Sequence, residues 1–141
     1  MSGIMQQFGY PEVRDAKKIL LDEMGKLGAT RLEAEYSGGN DEGGVNSLKL
    51  FGADDAEMEA PEAWITREPK EGDEPYRIRD GVVHEYHPLW EAADGMLSTE
   101  FGSWAGEFSA MGTLYANVSE NRVWREGSYE ESHWRDDDNS Y

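Results

Sequence analysis

The stretch "EYSGGNDEGGVNS", Glu35 to Ser47, decides how the chain is read. Four glycines and the pair Asp41–Glu42 lie between two candidate strands. A phosphate cradle needs glycines at fixed offsets, a helix start directly after them and usually a lysine. Here "VNSLKLF" follows, which reads as a strand, and Asp41 and Glu42 would repel phosphate. A helix–loop–helix calcium site needs alternating Asp/Asn ligands and a distal Glu. "NDEGG" has adjacent acids and strand flanks, so only an irregular calcium site stays open as an alternative. The reading taken here is a long hairpin loop whose glycines permit positive φ.

The flanks support that hairpin. In "TRLEAEY", Leu32, Ala34 and Tyr36 take one face and Arg31, Glu33 and Glu35 the other, the alternation of a half-buried strand. Upstream, "PEVRDAKKILLDEMGKLGA" reads as a helix: Val13, Ala16, Leu20, Met24 and Leu27 make one apolar stripe, with Pro11 in the first turn and Gly28 at the C-cap. "HPLWEAADGML" gives a second, shorter helix, with Leu89, Ala92, Ala93, Met96 and Leu97 on one face. "GEFSAMGTLYANVSENRVWREG" is a second hairpin turning at "SENR", where Asn121 tolerates a left-handed backbone. Trp90, Trp104 and Trp124 are expected in the core.

Helix, hairpin, helix, hairpin predicts an α+β domain: an antiparallel sheet of about four strands with two helices packed on one face. The expected divisions are a flexible N-terminus at 1–10 and a single domain at 11–127. Within the domain an irregular acidic excursion spans 53–80, and an acidic disordered tail follows at 128–141.

Charge is the extreme feature. Thirty acids face thirteen bases in 141 residues, a formal net of −17. Such a surface repels nucleic acid and anionic membranes and attracts basic proteins. The excess is uneven: Leu50–Thr66 holds five acids and Asp80–Asn121 seven, and neither segment contains Lys or Arg. No cysteine is present, which removes disulfides and thiolate sites, and no apolar run approaches the ~20 residues of a membrane span. With no secretory signal pattern at the N-terminus, a cytoplasmic location is expected.

"EYSGGNDEGGV" and "SWAGEFSAMGTLYANVSENRVW" resemble the strand–glycine loop–strand and W-x-G-E-F patterns of small acidic proteins of unknown function from bacteria and their phages. The resemblance spans Ala29 to Trp124. It implies a compact α+β domain and a mobile-element origin, and transfers no catalytic residue.

Enzymatic constellations are missing. With thirty acids, some carboxylate pair always matches glycosidase spacing, so that spacing discriminates nothing. No Ser-centred nucleophile motif occurs. "HEYH" sets His84 and His87 three apart, a low-ranked metal alternative because no third nitrogen or sulfur ligand is evident and Pro88 disfavours a continuous helix. The expectation is therefore a non-enzymatic acidic protein without cofactor. It presents carboxylates to a basic, nucleic-acid-binding protein, as a DNA mimic or phage anti-defence inhibitor does, and makes no direct contact with nucleic acid or membrane. The expected contacts are Asp54, Asp55, Glu57, Glu59, Asp41, Glu42, Glu33 and Glu35, with Trp64 as an aromatic anchor. Alternatives are a divalent-cation or small-ligand binding domain, and a small structural or accessory protein, with homodimer formation open.

Overall fold

A computed structural model describes residues 13–131 and 134–141. The expected flexible segment 1–10 lies outside them. Helix α1 spans Val13–Lys26 and α2 spans Pro88–Glu100. The main sheet contains β1 (Arg31–Gly39), β2 (Glu42–Phe51), β3 (Glu57–Met58), β7 (Ser109–Asn117), β8 (Arg122–Glu130), β9 (Trp134–Asp136) and β10 (Asn139–Ser140). Its order is β10-β8-β7-β1-β2-β3, with β9 also on β8, and every pairing is antiparallel. A second sheet is ordered β4 (Trp64–Arg67), β6 (Val82–Tyr86), β5 (Ile78–Arg79). The fold is thus α+β, with two α-helices among the described residues, but the main sheet has seven strands rather than about four, and a second sheet exists.

Alternation explains the core. Leu32, Ala34 and Tyr36 of β1, Leu48 and Leu50 of β2, Leu114 and Ala116 of β7 and Val123 of β8 are buried on one face. Against them pack Ala16, Leu20 and Met24 of α1 and Leu89, Ala93, Met96 and Leu97 of α2. Helix α1 ends where Gly28 takes φ 78 and Ala29 N–H returns to the Met24 carbonyl, a C-cap that favours glycine. Among the described residues, the opposite face of β2-β1-β7-β8 carries only half-buried and exposed side chains. Trp124 follows that alternation outward: it is half-buried on the open face beside Tyr115, whereas Trp104 is buried and Trp90 partly buried against the core.

Two segments differ from expectation. The stretch 53–80 carries three short strands and a 3-10 turn at Pro75–Arg77 rather than irregular chain. The stretch from Ser128, expected to be disordered, extends β8 to Glu130 and folds β9 and β10 back along it. The physical reason is Arg125, 4% exposed on the core side of β8. Its guanidinium donates to Glu100 at 2.6 Å and to Asp137 at 2.8 Å, and the Tyr141 hydroxyl also bonds Glu100. Burial works against the charge of Glu100, but the bonds from Arg125 and Tyr141 outweigh it and hold that carboxyl below its usual range. A buried charge left unpaired costs several kcal/mol, so the chain end is drawn onto Arg125.

Candidate functional site

The glycine-rich stretch is a strand pair, not a long loop. Strands β1 and β2 run on to Gly39 and Glu42, and only Asn40 and Asp41 turn, at φ 54 and 73. Two successive positive φ values make the tight turn that matches strand twist. The glycines serve another purpose. A Cβ built on Gly38 or Gly43 would run into the indole of Trp104, and one on Gly39 into the Phe108 carbonyl. Gly102, Ser103 and Trp104 all have positive φ, which throws the indole back onto the hairpin. The Trp104 Nε1–H donates to Ser98 at 3.2 Å, and its carbonyl accepts from the Asp41 N–H at 2.8 Å. Phe101 stacks on the indole at 4.8 Å.

Beside this hairpin, a cleft of about 430 Å³ is lined by Ser37, Glu42, Asn46, Asp94 and the four glycines. Asp94, from α2, accepts the Val45 N–H at 2.6 Å and the Tyr86 hydroxyl. Burial pushes its carboxyl above the usual range, and those two bonds only partly oppose the shift. Asp94 therefore clasps both sheets, β2 of the first and β6 of the second. Sequence reading missed it because a single Asp in an amphipathic helix has no motif.

The carboxylates expected to act together are separated. Asp41 and Glu42 sit at one end of the β1–β2 hairpin and Asp54 and Asp55 beyond the other, about 30 Å apart at ~3.3 Å per residue of strand. Glu33 and Glu35 lie on the open sheet face, where Arg31, Lys49 and Arg122 are interleaved with them. Asp41 and Glu42 lie a hairpin's length from Asp54–Glu59, and Glu33 and Glu35 share a sheet face with Glu57 but stand beyond Lys49 and Arg31, so these acids form no unbroken anionic wall. Asp55 is paired with Arg31 at 2.5 Å.

What remains is a rail. From Glu57 the chain runs without a turn to a bend at Ala63 and exposes Glu57, Glu59, Glu62 and Trp64, while Met58 and Ala60 pack on the core. Its backbone is held at four residues. Glu57 and Met58 pair with Phe51 and Leu50, the Pro61 carbonyl accepts from Trp90 Nε1 at 2.9 Å, and the Ala63 carbonyl accepts from the His87 N–H at 2.7 Å. Glu57, Glu59 and Glu62 make no ion pair with any base among the described residues. Lys49, nearest in register, lies one position past the last β2–β3 pair. Trp64 ends the rail, 63% exposed and stacked at 4.8 Å on Tyr86, whose hydroxyl reaches Asp94. Glu62 was missed as a contact because its neighbour Pro61 suggested a loop.

His84 and His87 share no helix face. His84 is on β6, and the His87 Nδ1 accepts the Leu89 N–H at 3.1 Å as the N-cap of α2. Among the described residues, no group of three or more His, Asp or Glu is placed to hold a metal ion. None of their helices is long and apolar enough to cross a membrane.

Compared with known proteins, the chain matches no family model, no curated protein and no solved structure at a significant level.

Proposed function

We propose that this is a non-enzymatic acidic binding protein whose rail, Glu57–Trp64, engages the cationic surface of a nucleic-acid-binding protein. One observation carries the reading: three unpaired carboxylates stand in a row on a backbone fixed to β2 and α2, with an exposed tryptophan at the end. Glu57 and Glu59 are alternate residues, ~6.6 Å apart in an extended strand, and Glu62 follows beyond Pro61, so the three charges succeed one another along the chain. Proteins that bind nucleic acid line their grooves with Lys and Arg to neutralise such arrays. A prearranged row loses little side-chain and loop freedom on docking, and Trp64 supplies the flat apolar contact typical of interface centres. An inhibitor that occupies a nucleic-acid groove, including one carried by a phage against host defence, works by this chemistry.

The test is capture of nucleic-acid-binding proteins from a bacterial extract at low salt, followed by titration of each retained protein. Binding is expected to weaken with salt and to be competed by duplex DNA. The variant E57Q/E59Q/E62Q and the variant Trp64→Ala are each expected to lose about tenfold or more in affinity, while D41N/E42Q binds as the parent does. Equal affinity of parent and rail variant would sink the reading. The Asp94 cleft supports a second, small-ligand reading, because it is concave and polar and ends on a half-buried acid. Calorimetry with divalent cations and small amines tests that separately.

A further inference from the structure

The geometry points to a second copy of this chain as the occupant of the open face of the main sheet. Antiparallel sheets commonly leave one face to water, so an uncovered face alone says nothing. This one carries a stacked pair, Tyr115 and Trp124, at 5.3 Å, and a 51% exposed Met111. Its charges are also unlike the rest of the molecule. On the four long strands, between the Arg31 row and the Ser37 row, three bases (Arg31, Lys49, Arg122) face three acids (Glu33, Glu35, Glu126), and at the β3 edge Glu57 adds a fourth acid to the Arg31 row. Elsewhere acids exceed bases heavily. A balanced face suits neither a basic nor an acidic partner.

It does suit itself. The register gives three successive rows across the strands. Arg31 and Arg122 lie in the first, Lys49–Glu33–Tyr115–Trp124 form the second, and Glu35 and Glu126 lie in the third. A two-fold axis along the middle row, between two facing sheets, lays each strand over its own copy with its direction reversed. Arg122 then stands over the partner's Glu126 and Arg31 over the partner's Glu35; on the axis the aromatic pairs meet, and Lys49 and Glu33, neighbours in that row, each reach the other's copy diagonally. Isologous contacts require this kind of self-complementarity. Facing sheets pack ~10 Å apart, a gap that arginine and aromatic side chains fill from both sides. In the single chain Arg122 lies over Trp124 at 4.1 Å and forms no ion pair among the described residues, which leaves its guanidinium able to take a carboxylate. Arg31 keeps Asp55 and has further donors to offer.

Sedimentation velocity on the full chain tests this. The parent is expected to form a dimer in a concentration-dependent manner, and the dimer to weaken with salt. Arg122→Glu alone and Glu126→Arg alone are each expected to weaken it about tenfold or more, because like charges then face each other. The double reversal R122E/E126R restores it. Circular dichroism of each variant checks that the fold is kept. The inference is overturned by a parent that stays monomeric into the millimolar range. It is also overturned by folded single variants that dimerise as the parent does, or by a double reversal that recovers nothing. The variant Trp64→Ala, in the second sheet and away from this face, dimerises normally, which separates this surface from the one proposed above.

Discussion

The rail and the open sheet face are both extended chain, and both show one side chain in two to solvent. The rail presents Glu57, Glu59 and Glu62 with no ion-paired base. On its four long strands the face presents as many bases as acids around an aromatic pair. One fixed net charge is therefore divided into two unlike surfaces. The alternation decides which residues are exposed, and the hairpin registers decide which exposed residues become neighbours. A charge count along the chain sees only the first of these, so the rail, a local segment, was visible in it and the face was not.

The largest expected effect treats the two surfaces alike. Trp104 is buried where α2, a second 3-10 turn at Gly102–Trp104 and the glycine hairpin meet. Trp104→Ala empties a large site that backbone glycines cannot refill. A loss of about 3–5 kcal/mol is expected from urea unfolding, with the rail and the open face melting together. Separate transitions for the two would show that they are not one cooperative unit.

Much of the frame was legible. The clean alternation of "TRLEAEY" and the i, i+3, i+4 stripe around Leu20 and Met24 are signals that tertiary context seldom reverses. The second sheet was hidden because strands of two to five residues beside prolines carry too little pattern. The tail was hidden because its anchor lies elsewhere: Arg125 is held by Glu100, 25 residues upstream. A signal did exist. If Val123 points inward, so does Arg125, and Trp124 must then point out; an inward arginine on a strand demands acids from somewhere. For Asp94 no local signal existed, since its role depends on a contact with Val45 across 49 residues.

Asp94 separates the two surfaces. It ties Tyr86, which supports Trp64, to the edge of β2 and does not touch the open face. Asp94→Ala is expected to cost about 1–3 kcal/mol, since it strands a backbone donor and a half-buried hydroxyl. Amide exchange should rise first at 64–67 and 82–86, while β7 and β8 stay protected. Its pH dependence has a definite sign. The folded carboxyl titrates above the ordinary value, so its contribution is whole below about pH 4 and is lost as pH rises through the folded value. Glu100, held low, does the reverse: its contribution is present above the ordinary value and is lost as pH falls. Urea midpoints across pH should therefore lose the decline on the rising side in Asp94→Asn. Parallel curves for parent and variant would remove Asp94 from the account.

Trp64→Ala is a smaller perturbation of the fold. The ring is mostly exposed, and what it gives up is one stacking contact with Tyr86. An exposed aromatic pair contributes roughly 0.5–1.5 kcal/mol, so the thermal midpoint should move by only a few degrees. A large drop would mean that Trp64 is a structural strut of the second sheet rather than a contact residue.

The smallest effect discriminates best, because the same chemical change should have opposite signs at the two surfaces. E57Q/E59Q/E62Q removes three charges from a row that has no paired base, relieving repulsion within a chain of net charge −17. E33Q/E35Q/E126Q removes three charges from a field that contains Arg31, Lys49 and Arg122, leaving those cations beside one another. Exposed charges are worth only tenths of a kcal/mol each, so the expected changes are roughly +0.5 kcal/mol for the rail and −0.5 kcal/mol for the face, measured by urea unfolding on monomeric protein at low ionic strength. Both should shrink as added salt brings the screening length below the spacing of the charges. If both variants gain stability equally, Glu33, Glu35 and Glu126 feel the net charge of the whole molecule more than their neighbours, and the face is no more balanced than the rail.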